Sequence, residues 1–218
     1  MTQALLSKYL EQLDNLKMVA RESNVRLIRG DDELFNAHAN LFVKSYLMTL
    51  CSVLEAYLKD EVLDFVSELN DLLAELRLTK NVFAWGLLPD SDEYYKKVVG
   101  TEIVAQLSLE INSQKVDDRI SGNIDRTIKT FRRCGVQLEA CEKFQQHKGT
   151  VANIVLKRNA VVHHNNDAED FSFGDIIAWA DTIESYIEGI SEYMMNVRSQ
   201  TALNLERIKR DGNEDSNE

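Results

Sequence analysis

The chain has 218 residues, a formal net charge of −11, a hydrophobic share of 44%, nine glycines and a single proline, Pro89. That length can bury a sizeable core in one domain, and so few turn residues exclude an all-β or α/β chain, which needs punctuation between its elements. The acidic balance excludes a protein that coats nucleic acid through bulk charge, because phosphate binding is driven by Lys and Arg displacing counterions, but it leaves room for a local basic patch.

A first amphipathic helix is predicted from Leu5, where Leu5, Leu6, Tyr9, Leu10, Leu13 and Leu16 recur at helical spacing, to just before Arg29-Gly30. Its start carries Lys8, Glu11 and Asp14 rather than an apolar run, so no targeting segment is expected, and no later window is read as long enough to span a membrane. Asp31 or Asp32 offers an N-cap for a second, long helix, whose stripe through Leu47, Leu50, Leu54, Leu58, Val62, Phe65, Leu69, Leu72 and Leu76 is long enough to predict a kink or interruption near Ser67 to Asp71. Around Trp85-Gly86-Leu87-Leu88-Pro89-Asp90 the pattern dissolves, so Thr79 to Gly100 reads as a long connection with a short helix at Tyr94 to Val99.

Further helices are predicted at Glu102 to Ile111, at Asp117 to Arg133 with Gly135 stopping it from the C′ position, and at Glu139 to His163 with a candidate break at Gly149-Thr150. The last helix starts after Phe173-Gly174-Asp175. Its residues Ile176, Ala180, Ile183, Ile187, Ile190, Met194 and Val197, spaced alternately by four and three, form a narrow packing seam for a partner in this chain or another. Asp211 to Glu218 is acidic and nearly without apolar residues, which predicts a disordered tail after one helical domain over residues 1–210. Cys51, Cys134 and Cys141 are odd in number and show no C-x-x-C pairing, so free thiols in a reducing, cytoplasmic compartment are expected, with no zinc knuckle.

Chemistry is suggested where an otherwise apolar stretch, Val151 to Val162, is interrupted by Lys157-Arg158-Asn159 and runs into His163-His164-Asn165-Asn166-Asp167. An arginine buried without a partner is costly, so Arg158 either pairs or faces a solvated cleft. The string Arg158-Asn159-Ala160-Val161-Val162-His163 resembles the signature of the HEPN superfamily, an arginine often followed by asparagine, then a histidine four to six residues on. Tyr46 to Leu58 is similar to that family's long early helix and Ile176 to Ile190 to its closing helix, so the resemblance covers residues 31–200.

The resemblance implies an all-α, up-and-down helical bundle of HEPN type, with additional N-terminal and inserted helices. It also implies a metal-independent endoribonuclease of the toxin or defence kind, in which two copies of the motif meet across a homodimer. Arg158 would hold the scissile phosphate through its guanidinium fork, and His163 would move a proton to or from the ribose 2′-hydroxyl or the leaving 5′-oxygen. A histidine near a helix C-terminus suits this, since the dipole favours its protonated form. His164 is the alternative, because on an ideal helix both histidines lie well around the axis from Arg158. Asn159 would orient Arg158 or the motif backbone. Glu55, on the early helix, either approaches Arg158 or pairs with Lys59 at i,i+4 on an exposed face. Arg126, Lys129, Arg132 and Arg133, with Lys157, are the candidate RNA-binding cations. Trp85 and Trp179 suit either base stacking or the core.

No cofactor and no metal are expected: His163, His164 and Asp167 contain metal-binding residue types, but adjacent histidines diverge on a helix. His38 and His147 have no partner pattern. The expected partners are RNA, a second copy of the chain and a cognate antitoxin or other protein, with no membrane. A non-catalytic module that dimerises or binds RNA or protein is the alternative, and the acidic balance favours it.

Overall fold

Apolar spacing places the helices of this chain, and a few local bonds decide where they stop. The computed structural model describes residues 2–75, 108–117, 119–164 and 171–214, without side-chain detail at 2, 163, 164 and 208–214. Among the described residues are seven α-helices and no strand: α1 (Thr2–Arg29), α2 (Glu33–Ala37), α3 (Ala39–Glu75), α4 (Ser113–Asp117), α5 (Ile124–Arg133), α6 (Glu142–His164) and α7 (Phe173–Glu214), with a 3-10 turn at Leu138–Ala140. The chain is all-α, as expected. It divides into two compact units, one of Met1–Val62 with Ser113–Val197, the other of Leu63–Asn112 with Arg198–Glu218.

In the first unit the apolar stripes meet in one core. Leu13 and Ala20 of α1, Leu47, Leu50 and Leu54 of α3, Phe131 of α5, Phe144 and Val151 of α6 and the α7 seam from Ile176 to Met194 are all fully buried. The seam therefore packs within its own chain, each buried Ile, Leu, Val, Phe or Met side chain contributing about 1.5–3 kcal/mol by leaving water. Tyr57 of α3 donates from its hydroxyl to the Ile187 carbonyl of α7 (3.1 Å), and Tyr9 of α1 donates to Asp60 of α3 (2.6 Å). Lys17, almost wholly buried on α1, meets Asp14, Asp181 and Glu184, so its charge is compensated where it ties α1 to α7. At Gly189 on α7 an added Cβ would overlap the Lys143 side chain, so α6 and α7 lie very close there. In the second unit Arg198 donates to Glu68 (2.7 Å) and Asp64 (3.2 Å) and lies over the Phe65 ring.

Several boundaries differ from those read in the sequence. Asp32 does cap a helix, its side chain accepting from the Phe35 N–H at 2.9 Å, but that helix is α2 and it stops at His38. The break brings the Phe35 and Phe42 rings to a stack with centroids 4.8 Å apart, against the roughly 10.5 Å that seven residues of continuous helix would separate their positions. No interruption of the helix occurs between Ser67 and Asp71. α3 runs unbroken to Glu75, because the segment holds no proline or glycine to interrupt it. One 18-residue window of α3 is apolar enough to cross a membrane, contrary to the sequence reading, and the buried leucines of α3 account for that composition.

The helix expected from Asp117 to Arg133 starts late, as α5 at Ile124: Asp117 is the last residue of α4, and a turn at Ser121-Gly122-Asn123 precedes α5. Gly135 ends α5 as predicted: with φ +81°, it lets its own N–H reach the Arg132 carbonyl and the Val136 N–H reach Phe131, both at 3.0 Å. α6 passes through Gly149 without a break, and residues 139–140 belong to the 3-10 turn. α7 begins where Ser172 and Asp175 bond reciprocally, and it continues to Glu214, into the stretch read as a disordered tail. Residues 108–112 are not helical. There the Asn70 side chain takes up both backbone groups of Leu109, at 2.6 and 3.2 Å. The Thr79–Gly100 connection with its short helix, Trp85 and residues 102–107 lie outside the described residues.

Candidate functional site

Arg158 lies on the last two turns of α6, and it is partnered. Its Nη2 donates to Glu55 Oε1 on α3 and to the Ser121 carbonyl at 3.3 Å. The two charged side chains are 19% and 20% exposed, so the pair sits at the edge of the core with one side toward solvent. Glu55 therefore meets Arg158, and Lys59, its expected i,i+4 partner, bonds to Asp117 of α4 instead (3.0 Å). A guanidinium carries five N–H donors, and Arg158 Nε is buried without an acceptor among the described residues. The side chain is thus anchored through one terminal nitrogen, with donor capacity left over.

The anchor depends on a turn that was not foreseen. Asn123 caps α5, its side chain accepting from the Arg126 N–H (3.0 Å), and Gly122 before it takes φ +71°. A Cβ at Gly122 would lie 3.1 Å from Val155 Cγ2 and 3.3 Å from Glu55 Oε1, so only glycine lets this backbone approach the ion pair and present the Ser121 carbonyl. The Ser-Gly-Asn triplet was the available signal, since each residue favours a turn or a helix cap. Gly122→Ala is expected to cost about 1–2 kcal/mol from the left-handed backbone alone, read as a lower urea midpoint. An unchanged midpoint would show that the turn can relax without loss.

Cys51, one turn before Glu55 on α3, is the third side chain at Arg158. Burial pushes its thiol up to about 12, against the downward pull of the guanidinium, so it stays protonated and is no nucleophile at neutral pH. Asn159 is half-buried at the next position of α6. His163 and His164 belong to α6, which remains helical through both, but their side chains lie outside the described residues, as does Asp167 of the metal alternative. Five residues of continuous helix put positions 158 and 163 roughly 140° apart around the axis.

Arg126, Lys129, Arg132 and Arg133 are all exposed on α5, and Arg132 forms an ion pair with Glu139. Lys157 is half-buried, its ammonium over the rings of Phe171 and Trp179. His38 is exposed at the end of α2, and His147 is half-buried on α6. No group of three metal-ligating side chains occurs among the described residues.

The model of a protein family described as RiboL-PSP-HEPN matches residues 7–196. The chain belongs to that family. The match includes α1 and the whole Arg158–Glu55 arrangement, so in this HEPN chain the first helix, outside the resemblance drawn from residue 31 onward, is part of the family unit. No curated protein and no solved structure gives a significant match. HEPN membership suggests a role in cleaving or binding RNA, and the anchored arginine of this RiboL-PSP-HEPN chain is the group suited to a phosphate.

Proposed function

We propose that this chain is a metal-independent endoribonuclease acting as a homodimer. The observation that carries the reading is Arg158, fixed by Glu55 and Ser121 at the core's edge and placed five residues before His163 on one continuous helix. Arg158 binds the scissile phosphodiester with its remaining N–H donors and stabilises charge developing on the non-bridging oxygens. His163, or His164 in its place, takes the proton of the ribose 2′-hydroxyl or gives one to the leaving 5′-oxygen. The 2′-oxygen attacks phosphorus and the bond to the 5′-oxygen breaks, giving a 2′,3′-cyclic phosphate and a 5′-hydroxyl end.

Helix geometry supports the two-copy reading. Positions 158 and 163, roughly 140° apart on an unbroken helix, do not readily converge on one phosphate, so the histidine acting beside one copy's Arg158 comes from the other copy's α6. Leu156, two residues before Arg158, and Val162, within the motif, are 63% and 49% exposed and offer apolar surface that a second copy would cover. Leu156→Glu is expected to shift the protein from dimer to monomer in sedimentation and to lower cleavage in parallel. A monomeric variant with full activity would separate catalysis from dimerisation.

The purified chain is expected to cut RNA in EDTA, to leave DNA of the same sequence intact, and to yield ends that a kinase phosphorylates at the 5′ position. Cleavage abolished by EDTA, or DNA cut equally well, would end the reading. Unpaired Cys51, Cys134 and Cys141 support action in the cytoplasm, and family membership supports a toxin or defence role restrained by a protein partner. The net charge of −11 favours a second reading, a module that binds RNA or protein without cutting. Salt-dependent RNA binding with no products would select it.

A further inference from the structure

Lys157 and Arg158 are neighbours in the chain but point about 100° apart on α6. Arg158 reaches α3, while the Lys157 ammonium stands over two aromatic rings, 5.7 Å from the Phe171 centroid and 5.9 Å from that of Trp179. Those distances are at the outer limit of cation–π contact, so neither ring holds the charge tightly. Among the described residues no carboxylate pairs with Lys157. In a chain with 36 acidic and 25 basic residues, a half-buried lysine with no counter-ion among the described residues is a cation open to a ligand's charge.

The rings themselves are open. Phe171 and Trp179 are each half-buried, with centroids 5.4 Å apart and planes tilted by 46°, so part of both remains accessible. Phe171 also walls a cavity of about 300 Å³ whose apolar lining includes Leu27, Val43 and Phe173, with Asn24, Asn40 and Ser172 contributing polar edges. An accessible ring pair, a cation with no carboxylate partner among the described residues and a cavity with apolar walls and two amides together make the chemistry of an unpaired nucleotide: a base to stack and a phosphate to neutralise.

We infer that Phe171, Trp179 and Lys157 form a subsite for one unpaired base and its phosphate in a single-stranded RNA, next to the phosphodiester held at Arg158. The inference rests on the ribonuclease reading only for the second half of that statement. The subsite binds rather than reacts, and it directs cleavage to strands in which a base beside the cut is unstacked.

The test uses the full chain with Trp85→Phe, which leaves Trp179 as the sole tryptophan. It is titrated with a short single-stranded oligoribonucleotide, 2′-O-methylated so that it cannot be cut, and with a strand of the same length lacking bases. Binding is followed independently by the anisotropy of a labelled strand. Saturable quenching of Trp179 by the base-bearing strand, little by the abasic one, and an affinity about tenfold weaker in Phe171→Leu are expected. Bound RNA with unchanged emission, equal quenching by the abasic strand, or no binding at all would overturn the subsite. If Trp85→Phe does not fold, the same signal is taken as the difference between the unaltered chain and Trp179→Phe. Cleavage of unmodified RNA is measured alongside. Quenching without cleavage supports the subsite and removes the nuclease reading, while cleavage without quenching does the reverse.

Discussion

Arg158→Ala is expected to lower RNA cleavage by at least about a hundredfold, the usual loss when one preorganised donor to developing charge is removed. The loss should fall on kcat more than on KM, because charge builds on the phosphate only in the transition state. Arg158→Lys should not restore activity. Its compact ammonium cannot keep one nitrogen on Glu55 and Ser121 while offering others to a phosphate. His163→Ala removes a proton carrier, for which a loss of about 10²–10⁴ is expected, and a normal rate in His163→Ala beside a dead His164→Ala would transfer the role to the neighbour. Full cleavage by Arg158→Ala in single-turnover kinetics would refute the site.

Glu55→Ala should produce the largest change in stability. Its carboxylate is the anionic partner of Arg158, and its removal leaves a mostly buried guanidinium with one carbonyl at 3.3 Å and an Nε already lacking an acceptor. A fully buried pair broken in this way costs about 3–5 kcal/mol. Here each partner is about one-fifth exposed, so water can enter and a loss of about 1–3 kcal/mol is expected from the urea midpoint. Glu55→Gln keeps one acceptor oxygen and should recover part of it. Cleavage should fall with the anchor, since an arginine free to change rotamer no longer meets the phosphate in one geometry. Glu55→Ala with unaltered stability and rate would mean that the ion pair does neither job.

Much of the framework was legible because it is local. Gly135 stopped α5, the α7 seam found its core, and the misfit of Arg158 in an apolar stretch announced a partner. The identity of that partner was not legible. Glu55 is 103 residues away, while Lys59 stood one turn along the same helix, and only the tertiary fold shows Lys59 drawn off to Asp117. The interruption at His38 was hidden for a similar reason: no glycine or proline marks it, and its cause is the stacking of Phe35 on Phe42 and Phe173. The Ser121-Gly122-Asn123 turn was spelled out but overridden by the helical spacing on either side. In α3 the interruption expected from typical helix length did not occur, in a segment with no proline or glycine to cause one.

The crowding of Gly189 against Lys143 reaches further than its neighbourhood. Lys143 is at the beginning of a stiff rod, and Arg158 rides fifteen residues along it, about 22 Å away. Whatever lifts the near end tips the far one, so a methyl group at position 189 would spoil the aim of a side chain it never touches. The glycine serves as the bearing on which that lever is seated.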